Sequence, residues 1–217
     1  MEVAPSKRIL WLQVWGLAAV QGAIALTWVI YNLYLKTLLV AFGFPVVAAT
    51  AVIIIENLLA ALMEPLMGSL SDNMQYWFGS RFPFVAFGTV IASACFNMIT
   101  TIYVFGSDTG PIRWLLPIMM VAWALAMTIF RSPVLSLLGR YAFATNLPQA
   151  ASILTLVGGL AGALGPISSQ LILQLGPLFA FTAGSIVMLV GAAALRWVGP
   201  NQQVQAQPMA QDPTVKP

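Results

Sequence analysis

Charged side chains are scarce in this sequence of 217 residues, since 7% are Asp, Glu, Lys or Arg and 60% are apolar. A soluble domain usually carries about a quarter charged residues, so this composition excludes an ordinary soluble protein. Histidine is absent, which removes the commonest metal ligand and the side chain best suited to proton transfer near neutral pH. Cys95 is the single cysteine and lies in an apolar stretch, which excludes a disulfide framework and a thiolate metal cluster.

The sequence also lacks the short motifs that accompany common catalytic chemistry. It contains no phosphate-binding glycine loop, no zinc-binding helix motif and no nucleophile elbow. We therefore expect a protein that is not an enzyme, has no catalytic residues, and holds neither a metal nor an organic cofactor.

What the sequence has in abundance is long apolar stretches, six of which are long enough to cross about 30 Å of hydrocarbon. They predict an all-α integral membrane protein with six transmembrane helices spanning residues 9–33, 44–70, 82–105, 114–138, 150–173 and 178–198. Residues 9–199 then form one transmembrane domain, preceded by a short terminus at residues 1–8. Residues 200–217 are rich in Gln and Pro and lack apolar periodicity, which predicts a disordered tail.

The distribution of cations predicts the orientation of these helices. With a cytoplasmic amino terminus, the outside connections hold only Lys36 and Arg113, and the inside segments hold Lys7, Arg8, Arg81, Arg140, Arg196 and Lys216. The positive-inside rule therefore favours both termini in the cytoplasm. The net charge of +3 is explained by this topology, so we expect membrane lipid and no nucleic acid as a partner. We expect the protein in a bacterial cytoplasmic membrane.

Ionisable residues inside apolar spans are costly and usually have a role. Along the axis of the second helix, Glu64 and Asp72 are about 12 Å apart. Along the axis of the fourth helix, Arg131 and Arg140 are about 13.5 Å apart. Two acids on one helix therefore match two bases on another at similar depths. We predict a ladder with two rungs, Glu64 with Arg131 and Asp72 with Arg140, although such pairs also serve simply to hold helices together.

Glu56 differs from these acids because it lies near the middle of its span with no basic residue at matching depth. Such a carboxyl group is either protonated or in contact with water and a ligand, and a proton- or cation-coupled carrier uses a group of this kind. Gln21 is the nearest polar side chain by depth. We regard five residues as candidates for contact with a substrate or coupling ion: Glu56, Gln21, Asn57, Trp28 and Trp123. For Asn57, Trp28 and Trp123, packing between helices is an alternative role.

One polar segment, punctuated by glycine, joins the second and third apolar stretches. It runs from Glu64-Pro65 through Gly68-Ser69-Leu70-Ser71-Asp72 to Gly79-Ser80-Arg81-Phe82-Pro83-Phe84. The segment resembles the loop between helices two and three of the major facilitator superfamily. Its longer form is similar to the branch of glycoside-pentoside-hexuronide:cation symporters and plant-type sucrose transporters, as are residues 130–138 and 148–165. The resemblance implies a charge network for gating that includes Gly68, Asp72, Gly79, Arg81, Glu64, Arg131 and Arg140.

The sequence also departs from that family. Asn73 stands where a basic residue usually follows the loop aspartate, and Gly139-Arg140 replaces the acid expected at the end of helix four. The family has twelve helices in two halves of six, with the substrate bound between them. The resemblance therefore implies the amino-terminal half of such a carrier, completed by a second copy or by a separately encoded half.

We thus expect a carrier that moves a small solute, such as a sugar or related organic compound, by alternating access coupled to H⁺ or Na⁺. Two other interpretations stay open. One is a membrane assembly factor or scaffold that transports nothing, since a branch near this family serves photosynthetic complexes. The other is an inactive, truncated remnant of a carrier.

Overall fold

The computed structural model describes residues 10–78, 82–106, 109–142 and 146–198. At residues 68, 71–78, 82–84, 130, 132–133, 136 and 140–141 it describes the backbone alone. Within these ranges the chain forms six α-helices and one short 3-10 helix, in the order α1 (Trp11–Ala41), α2 (Val46–Phe78), α3 (Phe82–Phe105), η1 (Pro111–Trp114), α4 (Leu115–Tyr141), α5 (Leu147–Leu175) and α6 (Pro177–Val198).

Six helices are long and apolar enough to cross a membrane, as the apolar stretches predicted. The chain is therefore an integral multi-pass membrane protein. Hydrocarbon contains no water to form hydrogen bonds with the backbone N–H and C=O groups. Because a helix forms these hydrogen bonds within itself, apolar stretches of this length fold as helices.

Two helices extend further than predicted. Residues 36–43 were expected to connect the first two spans, but α1 continues to Ala41 because Leu35, Leu38 and Leu39 are buried at helical spacing. The helix ends at Ala41, is capped by Phe42, and is followed by Gly43, whose φ of +73° suits glycine and few other residues. Residues 71–81 were also expected to be a connection, whereas α2 continues to Phe78. The polar segment that begins at Glu64 is therefore helical as far as Phe78.

α1 is the central helix of the bundle and packs against α5, α6 and α4. Its side chains also bond to carbonyl groups at the ends of two neighbouring helices. Gln13 Nε2 donates to the carbonyl oxygen of Val198 at 3.0 Å, and the Tyr34 hydroxyl donates to that of Ile172 at 2.7 Å. The last carbonyls of a helix lack partners within it, so α1 satisfies one such group on α6 and one on α5.

Gly184 allows α6 to approach α1 and α3 closely. A Cβ atom at this position would lie 3.0 Å from Phe96 Cε1 and 3.1 Å from Ile30 Cδ1. We expect Gly184→Val to destabilise the protein by about 1 to 3 kcal/mol, because overpacking forces neighbouring side chains out of their rotamers. Thermal unfolding of the purified protein in detergent measures the loss.

The matched control for that substitution is Gly159→Val on α5. Apart from its chain neighbours and the backbone of α5 itself, no atom of the described residues lies within 4 Å of a Cβ built at Gly159. We expect this control to unfold close to the wild-type temperature. Equal destabilisation by both variants would show that valine in a helix, and not crowding at Gly184, causes the effect.

Candidate functional site

A cavity of about 640 Å³ lies between α1, α2 and α4. It extends from Gln21 to Asn32 on α1, from Ile53 to Glu64 on α2 and from Ala124 to Arg131 on α4. Ile53 and Glu64 are eleven positions apart on α2, which corresponds to about 16 Å along the helix axis. The cavity therefore covers a large part of the membrane depth, and its volume suits a small organic molecule.

The inward face of α2 positions Glu56 in this cavity. Only 17% of the residues in the most apolar part of α2 are buried against the other described residues. Its buried side chains include Ala49, Val52 and Glu56, which share one face of the helix through spacings of three and four residues. A carboxyl group thus occupies a position in the row that packs inward, where an apolar residue would be expected.

Tyr31 on α1 is the hydrogen-bond partner of this carboxyl group. The Tyr31 hydroxyl donates to Glu56 Oε1, and both residues are buried while Glu56 also lines the cavity. A buried carboxyl group requires hydrogen-bond partners to offset the loss of water. One oxygen of Glu56 is therefore held by the protein, in the wall of the cavity.

A cluster of aromatic rings holds Tyr31 in place behind the cavity. The Trp123 ring centroid lies 4.4 Å from that of Tyr31, 4.9 Å from that of Trp28 and 4.9 Å from that of Phe96. Trp123 is fully buried and does not line the cavity, whereas Trp28 does. Of the two tryptophans proposed from the sequence, Trp28 is thus placed to contact a ligand, and Trp123 supports the wall.

Glu64 and Arg131 form an ion pair further along the cavity. Arg131 Nη1 lies 3.7 Å from Glu64 Oε1, as the matching depths of the two residues predicted. The side chains are 52% and 44% exposed, for Glu64 and Arg131 respectively. The two charges neutralise each other, but each keeps polar atoms open to the cavity.

The amide side chains of the cavity have specific orientations. The Nδ2 atoms of Asn32 and Asn57 donate to the carbonyl oxygens of Trp28 and Ile53 at 2.8 Å, each within its own helix. Gln21 Oε1 is buried and has no hydrogen-bond partner among the described residues. Gln21 also lies against α5, since a Cβ at Gly158 would be 3.3 Å from its Cγ.

The structure thus brings together most of the side chains proposed as a substrate or coupling site. Glu56, Gln21, Asn57 and Trp28 line one cavity with the Glu64–Arg131 pair. Sequence reasoning missed Tyr31, Asn32 and Thr128. The signal for Tyr31 was available, because in antiparallel neighbouring helices the last third of α1, with Tyr31, lies opposite the first third of α2, with Glu56.

The remaining proposed residues of the charge network are not described at side-chain level. Gly68 and Asp72 lie in α2 and Arg140 lies in α4, where only the backbone is described, and Gly79 and Arg81 lie outside the described residues. The rung between Asp72 and Arg140 therefore stays a prediction.

Within the part of the chain that the structure describes, no three His, Cys, Asp or Glu side chains are grouped so as to hold a metal ion. The polar groups of the cavity instead include two carboxyl groups, one guanidinium, three amides and one hydroxyl. Such a set binds and orients a ligand through hydrogen bonds and charge.

Comparison with protein-family models, with curated proteins and with solved structures gives no match to this chain. Its function is therefore argued from the cavity and its residues.

Proposed function

We propose that this six-helix unit belongs to a secondary active transporter that moves a small solute by alternating access. The observation that carries the proposal is the cavity at membrane depth, with a buried carboxyl group and a half-exposed ion pair in its wall. Ionisable groups within a membrane usually face a water-filled pathway or other protein, because hydrocarbon does not solvate them. A pathway for a polar solute accounts for all of these groups together.

A second structural unit completes the pathway in this proposal. Glu64 and Arg131 are half exposed in the six-helix unit and need water or protein, rather than lipid, on their open side. The resemblance to the major facilitator superfamily supports a second six-helix unit in the same orientation, with the solute bound between the two. A second copy of this chain, related by a two-fold axis along the membrane normal, meets that need, as does a separately encoded unit.

Glu56 is the leading coupling residue of this mechanism. It is the carboxyl group of the cavity without a basic partner among the described residues, since Arg131 is paired with Glu64. Binding and release of a proton or Na⁺ at Glu56 would change the charge of the cavity by one unit. That change would alter the stability of the inward-open and outward-open states differently, which is the requirement for coupling.

The topology belongs to the same proposal. The bundle has an even number of spans, which return the chain to the side on which it enters the membrane. The excess of Lys and Arg in the segments on that side supports a cytoplasmic location for both termini. Asp72, Arg81 and Arg140 would then lie at the cytoplasmic surface, where we propose that they take part in gating.

Chemical modification tests whether Glu56 faces a solute pathway. We expect a hydrophobic carbodiimide to label Glu56 in the purified, membrane-reconstituted chain, and a transported solute to slow this labelling. Peptide mass spectrometry after labelling, in the presence of a panel of small sugars, amines and amino acids, measures the protection. Asp108 lies outside the apolar spans in sequence and provides an internal control whose labelling should not respond to the solute.

The same preparation distinguishes transport from a scaffold. A transporter predicts an assembly larger than one chain in detergent, together with solute uptake into liposomes. A strictly monomeric chain that moves no member of the panel would contradict the proposal. Co-purification with a large complex, with no solute protection at Glu56, would favour the scaffold.

A further inference from the structure

The polar atoms of the cavity include several hydrogen-bond acceptors. The carbonyl oxygens of Asn32 and Asn57 can accept from a ligand, while each amide nitrogen uses one of its two hydrogens on its own helix. Gln21 Oε1 is a buried acceptor without a partner among the described residues. The Thr128 hydroxyl uses its hydrogen on the carbonyl of Ala124, at 3.0 Å, which leaves the oxygen as an acceptor.

The backbone of α2 adds one more acceptor. Pro65 lies inside the helix and has no N–H group, so the carbonyl of Ala61 lacks its usual helical donor. Ala61 is part of the cavity wall. A ligand that donates several hydrogen bonds therefore finds acceptors in this lining.

The charges of the cavity favour a ligand with a positive charge. Its ionisable residues are two acids and one base, Glu56, Glu64 and Arg131. Arg131 is paired with Glu64, while Glu56 receives a neutral donor, the Tyr31 hydroxyl. When both acids are ionised, the lining therefore has a net charge of −1, which a ligand with one positive charge balances.

The remainder of the wall is apolar and fits an organic group better than a bare ion. Ile24, Ile53 and Met127 line the cavity together with the ring of Trp28. A cavity of about 640 Å³ is far larger than an inorganic cation requires, since a water molecule occupies about 30 Å³ of liquid. The Trp28 ring also offers a flat face on which an apolar or aromatic group packs.

We infer that the cavity binds a protonated organic amine with an apolar portion, whose ammonium group lies near Glu56 and whose apolar portion contacts Trp28. An ammonium group has three donors, which the acceptors of this lining can receive. The inference rests on the proposed function in that it identifies the class of solute that the transporter would carry.

Direct binding to the purified full-length chain in detergent tests this inference. The probe is phenethylammonium, compared by isothermal calorimetry with phenethyl alcohol, which has the same ring and no charge. We expect saturable binding of the ammonium compound and at least about tenfold weaker binding of the alcohol, a difference of about 1.4 kcal/mol. Sucrose and sodium chloride serve as probes for the competing ligand classes.

Two substitutions locate the site. We expect Glu56→Gln to weaken binding of phenethylammonium by at least about tenfold. We expect Trp28→Leu to weaken it about three- to tenfold, because the contact between the two aromatic rings is lost. The matched controls are Asp108→Asn, the same carboxyl-to-amide change between α3 and η1, and Trp197→Leu, whose ring is exposed at the end of α6. Both controls should bind the probe as the wild type does.

Several outcomes overturn the inference. They are equal binding of the alcohol, absence of saturable binding of the ammonium compound, binding of sucrose or Na⁺ in its place, or unchanged binding by both cavity variants. The comparison of the two probes on the wild-type chain needs no variant, so a variant that fails to fold does not prevent the test. Uptake of sucrose into liposomes would contradict this ligand class and leave transport intact, whereas amine binding without any uptake would contradict transport alone.

Discussion

Glu56→Gln is expected to reduce uptake of labelled phenethylammonium into liposomes by at least about a hundredfold, which corresponds to about 2.7 kcal/mol. The substitution keeps the size of the side chain and its capacity to accept a hydrogen bond from Tyr31. It removes the charge that balances the ammonium group and the site at which a proton binds. Both binding and coupling should therefore be lost while the fold is kept.

The measurement is initial uptake by reconstituted protein under an imposed pH gradient. The control is Thr182→Val, which removes a hydrogen bond of 3.2 Å to Asn97 Oδ1 outside the cavity. Its uptake should stay near that of the wild type. Wild-type uptake by Glu56→Gln would mean that another group carries the coupling, and the mechanism proposed for Glu56 would be wrong.

Each of the single substitutions Glu64→Arg and Arg131→Glu is expected to lower the yield of folded protein. The double variant, in which the two charges are exchanged, is expected to restore that yield. Glu64→Arg places two cations where an ion pair of 3.7 Å lies now, and Arg131→Glu places two anions there. Breaking a fully buried pair costs about 3 to 5 kcal/mol. Because this pair is half exposed, we expect each single reversal to cost about 1 to 3 kcal/mol.

Size-exclusion chromatography of the solubilised chain measures the yield of folded protein for each variant. The control for net charge combines Glu64→Arg with Arg113→Glu. Arg113 lies over the rings of Phe44 and Trp114, far from Glu64 in the fold, so this combination has the charge of the exchange without the pair. If that control recovers as well as the true exchange, net charge and not pairing governs folding, and the rung between Glu64 and Arg131 has no structural role.

The six spans and the charged rung could be predicted from the sequence because each depends on distance along a single helix. Apolar length identifies a span, and depth follows from the rise per residue. Counting along α2 and α4 placed Glu64 level with Arg131, and the structure has them 3.7 Å apart. The isolation of Glu56 from any base was visible in the same way.

The partner of Glu56 was not predicted, because it depends on the rotation of α1 and α2 about their axes. Hydropathy gives little information on rotation in a membrane helix, where the lipid-facing and the inward-facing side chains are both apolar. The same limit applies to Trp28 and Trp123, which lie on helices that face each other yet differ in their access to the cavity. The extensions of α1 and α2 were missed because Lys36 and Ser71 are polar and indicated loops. Instead α1 continues past Lys36 with buried leucines, and the backbone of α2 stays helical past Ser71.

The sequence by itself determined that the chain spans a membrane six times and that Glu56, Glu64 and Arg131 lie within or beside those spans, since length, hydropathy and axial rise are local properties. Only the tertiary structure decided that these residues line one cavity, that Tyr31 holds Glu56, and that amides of α1 and α2 leave their carbonyl oxygens for a ligand. These features arise from how α1, α2 and α4 are rotated and packed against one another, which close packing of side chains fixes and the sequence of a single helix does not specify.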